Sequence, residues 1–170
     1  VKAVVELQQT DPTIKLVIIG RLPDKEFETR LNNVKISAPL PENIQFLGHI
    51  NYLQLKKYVS SATLGVIPLH PTENYLLSYP TKIFDYMNWG LPFVYSDIQY
   101  WVKTFSDECG GISFKACDRV DLVKKIANIL YDESLWAQLS GDCRKNINKF
   151  NWDTEEIKFL QLYNDIISTH

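Results

Sequence analysis

The chain has 170 residues, 45% hydrophobic and 12% aromatic, enough apolar material for one good core, so residues 1–170 are expected to form a single domain. A net charge of −2 supplies no positive field for nucleic acid, and no apolar run approaches the roughly 18 residues a membrane span requires. No signal peptide is visible, and Cys109, Cys117 and Cys143 lack Cys-x-x-Cys spacing, which argues for reduced thiols in a cytoplasmic setting over disulfides or zinc ligands. The chain opens at Val1 inside an apolar-periodic stretch, as an excised piece of a longer protein does.

Taken in order, the chain alternates helix and strand. Val4, Val5 and Leu7 suggest the end of a helix, which Asp11-Pro12 breaks. Residues 15–19 form a β-branched run closed by Gly20, as expected for a strand of a parallel sheet. The charged segment 24–31 reads as a helix, 44–48 as a strand, 52–59 as a helix and 64–67 as a strand closed by Pro68. Ser78 and Pro80 then open a short helix, with Ser78 as its cap and Pro80 in its first turn. Ile83, Phe84 and Met87 give this helix one buried face, Gly90 ends it, and Phe93-Val94-Tyr95 follows as a buried strand. A short helix at 100–105, a turn at Gly110-Gly111 and a strand at 112–114 come next, and from Asp118 the chain is helical to its end. This rhythm predicts an α/β fold, a doubly wound parallel sheet flanked by helices with a helical C-terminal tail.

The helix opened by Pro80 carries the chemistry. The N–H groups of Thr81 and Lys82 lie at the positive end of the helix dipole, and the Lys82 ammonium adds a full charge within one turn, an arrangement suited to phosphate. Asp85, three residues on from Lys82, would repel that phosphate but can accept hydrogen bonds from sugar hydroxyls. Cation first and carboxylate second fits a nucleotide diphosphate with its ribose. The competing reading is a surface Lys82–Asp85 ion pair on an amphipathic helix.

The run Pro80-Thr81-Lys82-Ile83-Phe84-Asp85-Tyr86-Met87, followed by Gly90-Leu91-Pro92-Phe93-Val94 and Ser96-Asp97, resembles the donor-site motif of retaining GT-B glycosyltransferases, the glycosyltransferase group 1 (family 4-like) family. Three further segments fall in the family's order. Leu16-Val17-Ile18-Ile19-Gly20 resembles its early strand and glycine loop, Ile44-Gln45-Phe46-Leu47-Gly48-His49-Ile50 the segment lining its base pocket, and Phe150-Asn151-Trp152 its Phe-Ser-Trp element. The resemblance covers the C-terminal, Rossmann-like half of the fold. It implies an enzyme that transfers a sugar from a nucleotide-diphosphate sugar to an acceptor hydroxyl. By that resemblance Lys82 and Asp85 carry the catalytic roles, and Gly20, Arg21, His49, Ile50, Ser78, Pro80, Thr81, Lys82 and Asp85 hold the donor. An opening strand with basic phosphate ligands and the N-terminal acceptor domain of the same enzyme would precede Val1. Cytoplasmic polysaccharide or glycolipid synthesis, with peripheral membrane association of the full-length enzyme, is what such enzymes commonly do.

The chain departs from the family at one position, where Leu77 stands in place of a glutamate eight residues before Asp85; Glu73 and Asn74 lie nearby. No Asp-x-Asp pair occurs, so no metal-bridged diphosphate and no cofactor are expected. His49 either lines the base pocket or is structural, His70 is a loop residue or a sugar contact, and Tyr79 either stacks on the donor or packs. Trp89 and Trp152 belong to the core or to a surface facing the missing domain. Two rivals remain: a sugar-nucleotide epimerase of related architecture, and a non-catalytic interaction module that has lost its ligand.

Overall fold

The computed structural model describes residues 1–105 and 109–168. Helix α1 (Lys2–Leu7) turns inward Ala3, Val4 and Leu7, and β1 (Leu16–Ile18) follows the Asp11-Pro12 break. Asp24 caps α2 (Lys25–Ile36) by accepting a hydrogen bond from Phe27 N at 2.7 Å. This helix runs past the expected residue 31 because no Gly or Pro interrupts it before Ser37. After β2 (Ile44–Phe46), Asn51 and Gln54 form a capping box that starts α3 (Tyr52–Ser61). Then come β3 (Gly65–Ile67), a single turn α4 (Glu73–Leu76) that periodicity does not predict, α5 (Thr81–Trp89) and β4 (Phe93–Ser96). The described chain closes with α6 (Gln99–Phe105), β5 (Gly111–Phe114), α7 (Arg119–Leu130), α8 (Glu133–Asn146) and α9 (Trp152–Ser168).

All described strand pairs are parallel, in two ladders ordered β1-β2 and β3-β4-β5. Leu16 faces Ile44 in the first; Phe93 faces Gly65 on one side and Gly111 on the other in the second. Successive strand residues point to opposite faces. Phe93 and Tyr95 join Ile83 and Met87 of α5 and Trp101 and Phe105 of α6, whereas Val94 joins Leu7 of α1 and Ile126 and Ile129 of α7. Helices therefore cover both faces, which is the doubly wound arrangement. Helix α1 also reaches the other ladder, where Val4 packs with Ala38 and Ile44, so it spans the two. No helix among the described residues is long and apolar enough to cross a membrane.

Gly90 and Gly65 are among the glycines required by their surroundings. Gly90 ends α5 at φ 62°, a left-handed conformation that glycine adopts freely. At Gly65 a Cβ would stand 2.5 Å from the Tyr86 ring, which lies across β3 and bonds the Val66 backbone.

Candidate functional site

The start of α5 is held from behind. Ile83 and Met87 are fully buried, and Phe84 packs edge-on against Phe105 and tilted against Phe150, with ring centroids 5.6 and 5.3 Å away. The preceding loop is anchored by α6: Trp101 Nε1 donates to Ser78 O at 2.6 Å, Tyr79 stacks on Tyr100 at 4.6 Å, and the Tyr79 hydroxyl bonds Thr104 at 2.8 Å. Tyr79 thus packs within the protein. Sequence reasoning missed Trp101, Tyr100 and Thr104, whose only signal was an apolar residue in a short helix.

Two details of the helix start differ from expectation. Pro80 is the N-cap residue, one position before the helix, and it is buried. Ser78 does not cap α5: its hydroxyl donates to Asn74 O at 2.5 Å, closing the extra turn α4. A residue before proline is steered away from helical conformation, so the chain makes α4, straightens through Tyr79-Pro80 and only then enters α5. No side chain caps α5, which leaves the N–H groups of Thr81 and Lys82 at an open, positively polarised helix start. Lys82 Nζ lies 3.5 Å from Asp85 Oδ2, with the two side chains 64% and 60% exposed. Leu77, just after α4, is 83% exposed.

A second set gathers at the carboxyl ends of β1 and β2. Gly20 N donates to Gly48 O at 2.8 Å, and the two glycines take φ 134° and 62°. They line a cleft of about 570 Å³ together with Arg21, Lys25, Glu28 and Phe46. His49 is exposed and Ile50 half-buried just beyond Gly48, and neither lines that cleft. Both sets lie where strands end, the edge at which open α/β sheets bind ligands. Among the described residues no hydrogen bond or ion pair joins one set to the other. His70, after β3, meets Cys117, after β5, at 3.1 Å. Trp89 is half-buried, while Trp152 at the start of α9 is 66% exposed. Among the described residues no group of three or more His, Cys, Asp or Glu side chains gathers to hold a metal ion.

The sequence over residues 1–150 matches the family model described as Glycosyl transferases group 1. No curated protein matches it. Among solved structures, sucrose-phosphate synthase from Thermosynechococcus elongatus superposes with a TM-score of 0.79 at 22% identity, over 99% of this chain and 42% of that one. The C-terminal domain of a glycosyl transferase group 1 family protein (LpcC) from Francisella tularensis gives 0.74 at 16% identity, over 87% of this chain and 75% of that one. Anabaena HepE in complex with UDP gives 0.77 at 14% identity, over 99% of this chain and 44% of that one. The chain thus spans less than half of two of these three structures. At such identities the likeness concerns the fold, one half of a GT-B glycosyltransferase. On its sequence, matched over 150 of 170 residues, the chain belongs to the glycosyl transferases group 1 family.

Proposed function

We propose that this chain is the donor-binding half of a retaining glycosyltransferase that moves a sugar from a nucleotide-diphosphate sugar to an acceptor hydroxyl. The observation that carries the reading is the open start of α5, with Lys82 and Asp85 exposed on the carboxyl edge of the sheet. The Thr81 and Lys82 N–H groups and the Lys82 ammonium receive the diphosphate and stabilise the charge that develops on it as it departs. Asp85 accepts from the ribose hydroxyls. The Lys82–Asp85 pair of the free protein does not oppose this, because an exposed pair three residues apart is worth only about 0.3–0.5 kcal/mol. The cleft beside Gly20, Arg21 and Gly48 takes the base end of the nucleotide. A nucleotide diphosphate is also what the similarly folded HepE holds.

With positive charge supplied by a helix start and a lysine, the departing group needs no cation. Leu77, exposed where the family has a glutamate, leaves the sugar to be gripped from elsewhere. The acceptor comes from the remainder of the enzyme. In this reading an upstream strand lies between β1 and β3, completing the doubly wound order, and Trp152 of α9 faces the other half. The reaction is assigned to the cytoplasm, in polysaccharide or glycolipid synthesis.

Calorimetric titration with UDP, GDP, ADP and CMP tests the reading. One of the diphosphates UDP, GDP and ADP should bind, and the absence of binding by all three at millimolar concentration, in the full-length protein, would reject it. Analysis of the full-length protein's products separates transfer with retained anomeric configuration from epimerisation of the donor. The 170 residues alone should bind donor and transfer little or no sugar.

A further inference from the structure

Two residues that take no part in the proposed donor contacts meet although 47 positions separate them. His70 follows β3 and Cys117 follows β5, so their loops converge over the carboxyl end of β4, the strand between. Cys117 Sγ lies 3.1 Å from His70 Nδ1, and both side chains face solvent. The Cys117 loop is built to hold this position. Asp97 Oδ1 accepts from Ala116 N at 2.7 Å, Asp121 Oδ2 accepts from Lys115 N at 2.7 Å, and Asp118 N donates to Lys115 O at 3.0 Å. Cys117 itself sits at φ 64°.

A thiol within hydrogen-bond reach of an imidazole nitrogen is the arrangement of a nucleophile and its base, since the thiolate is the reactive form. The other two cysteines are placed quite differently. Cys109 and Cys143 are buried, and Cys143 Sγ is enclosed by the carbonyls of Leu91, Cys109 and Gly110. The same chain therefore holds two shielded thiols and one presented beside a base.

We propose that the His70–Cys117 pair is a covalent modification site on the carboxyl edge of the sheet, with Cys117 as nucleophile and His70 as base toward low-molecular-weight disulfides. His70 Nδ1 takes the thiol proton, and Cys117 Sγ attacks one sulfur of the disulfide. The original S–S bond breaks as the Cys117 mixed disulfide forms, and the released thiolate recovers the proton from the imidazolium. One thiol and one disulfide are consumed and one of each is produced, so no further oxidant is needed. The charged residues nearest the pair in sequence are Lys115, Asp118, Arg119 and Asp121 about Cys117 and Glu73 after His70; Asp97 holds the Ala116 N–H, and Arg119 is paired with Glu6 at 3.0 Å.

The test is alkylation of the protein by iodoacetamide, with each cysteine followed by peptide mass spectrometry between about pH 5.5 and about pH 8.5. Cys117 should react about tenfold faster than Cys109 or Cys143 and about fivefold faster than free N-acetylcysteine. His70→Ala and His70→Gln should both bring Cys117 down to the rate of the free thiol. Glutamine keeps a hydrogen-bonding side chain but is no base, so an unchanged rate in His70→Gln overturns the assignment. Oxidised glutathione should then modify Cys117 alone, reversibly with dithiothreitol; modification of Cys109 or Cys143 instead also overturns it. None of these readouts requires a nucleotide, so they stand or fall apart from the donor-site proposal.

Discussion

β1 (Leu-Val-Ile) and the first three residues of β4 (Phe-Val-Tyr) are both apolar runs in parallel strands, yet they end in different surroundings. Every residue of β4 is buried, with Phe93 and Val94 at 0% exposure, whereas all three residues of β1 are half-buried. β4 has a strand on each side and helices on both faces; β1 pairs only with β2 among the described residues. Local hydrophobicity decides that a segment becomes a strand, and the number of neighbours decides how deep it lies. Helices repeat the contrast. α5 exposes Lys82 and Asp85 because Ile83 and Met87 anchor its other face, while α9 carries Ile157, Leu160 and Ile167 and buries none of them.

The contrast can be broken most directly by truncation. Phe93→Ala should cost about 3–5 kcal/mol of stability and Val17→Ala about 1 kcal/mol, measured by urea unfolding. Equal losses at the two positions would mean that β1 is as deeply held as β4. A middle-sized effect is expected at Gly65, where an added Cβ meets the Tyr86 ring at 2.5 Å. Gly65→Ala should cost about 1–3 kcal/mol, and the same change in a Tyr86→Ala background should cost less, a coupling that a double-mutant cycle reads.

Alkaline pH sharpens the comparison from the buried side. Burial pushes the Cys143 thiol up from 9.0 to about 12, so the folded chain keeps a proton that the unfolded chain releases. Its contribution is therefore intact below about pH 9 and is lost as pH rises toward about 12, and Cys143→Ala should flatten that part of the stability profile. The smallest stability effect belongs to the exposed ion pair, where Lys82→Ala should shift unfolding by no more than about 0.5 kcal/mol.

Much of this was legible in the residues. The order of helices and strands, Gly90 as the stop of α5 and the buried Ile83–Met87 face follow from local rules of capping and periodicity, and the structure has them. What was not legible depends on contacts distant in sequence. Ser78 reads as a cap, but its hydroxyl finds Asn74 O first, and α4 is a turn stabilised only in that context. The grip of Trp101 and Tyr100 on the 78–79 loop joins residues more than twenty positions apart. The division of the strands into two ladders is likewise a fact of pairing, which a list of apolar runs does not contain. His49 and Ile50 follow the strand they were expected to follow, just beyond Gly48 of the cleft.

If the start of α5 holds a nucleotide diphosphate, binding and stability separate in one pair of variants. For whichever of the diphosphates UDP, GDP or ADP binds the wild-type protein, Lys82→Ala and Asp85→Ala should each weaken calorimetric affinity about tenfold, the loss of a charge-assisted contact. Their stabilities in urea should stay within about 0.5 kcal/mol of the wild-type value. Undiminished affinity in both variants would contradict the account and leave Lys82 and Asp85 as a surface ion pair.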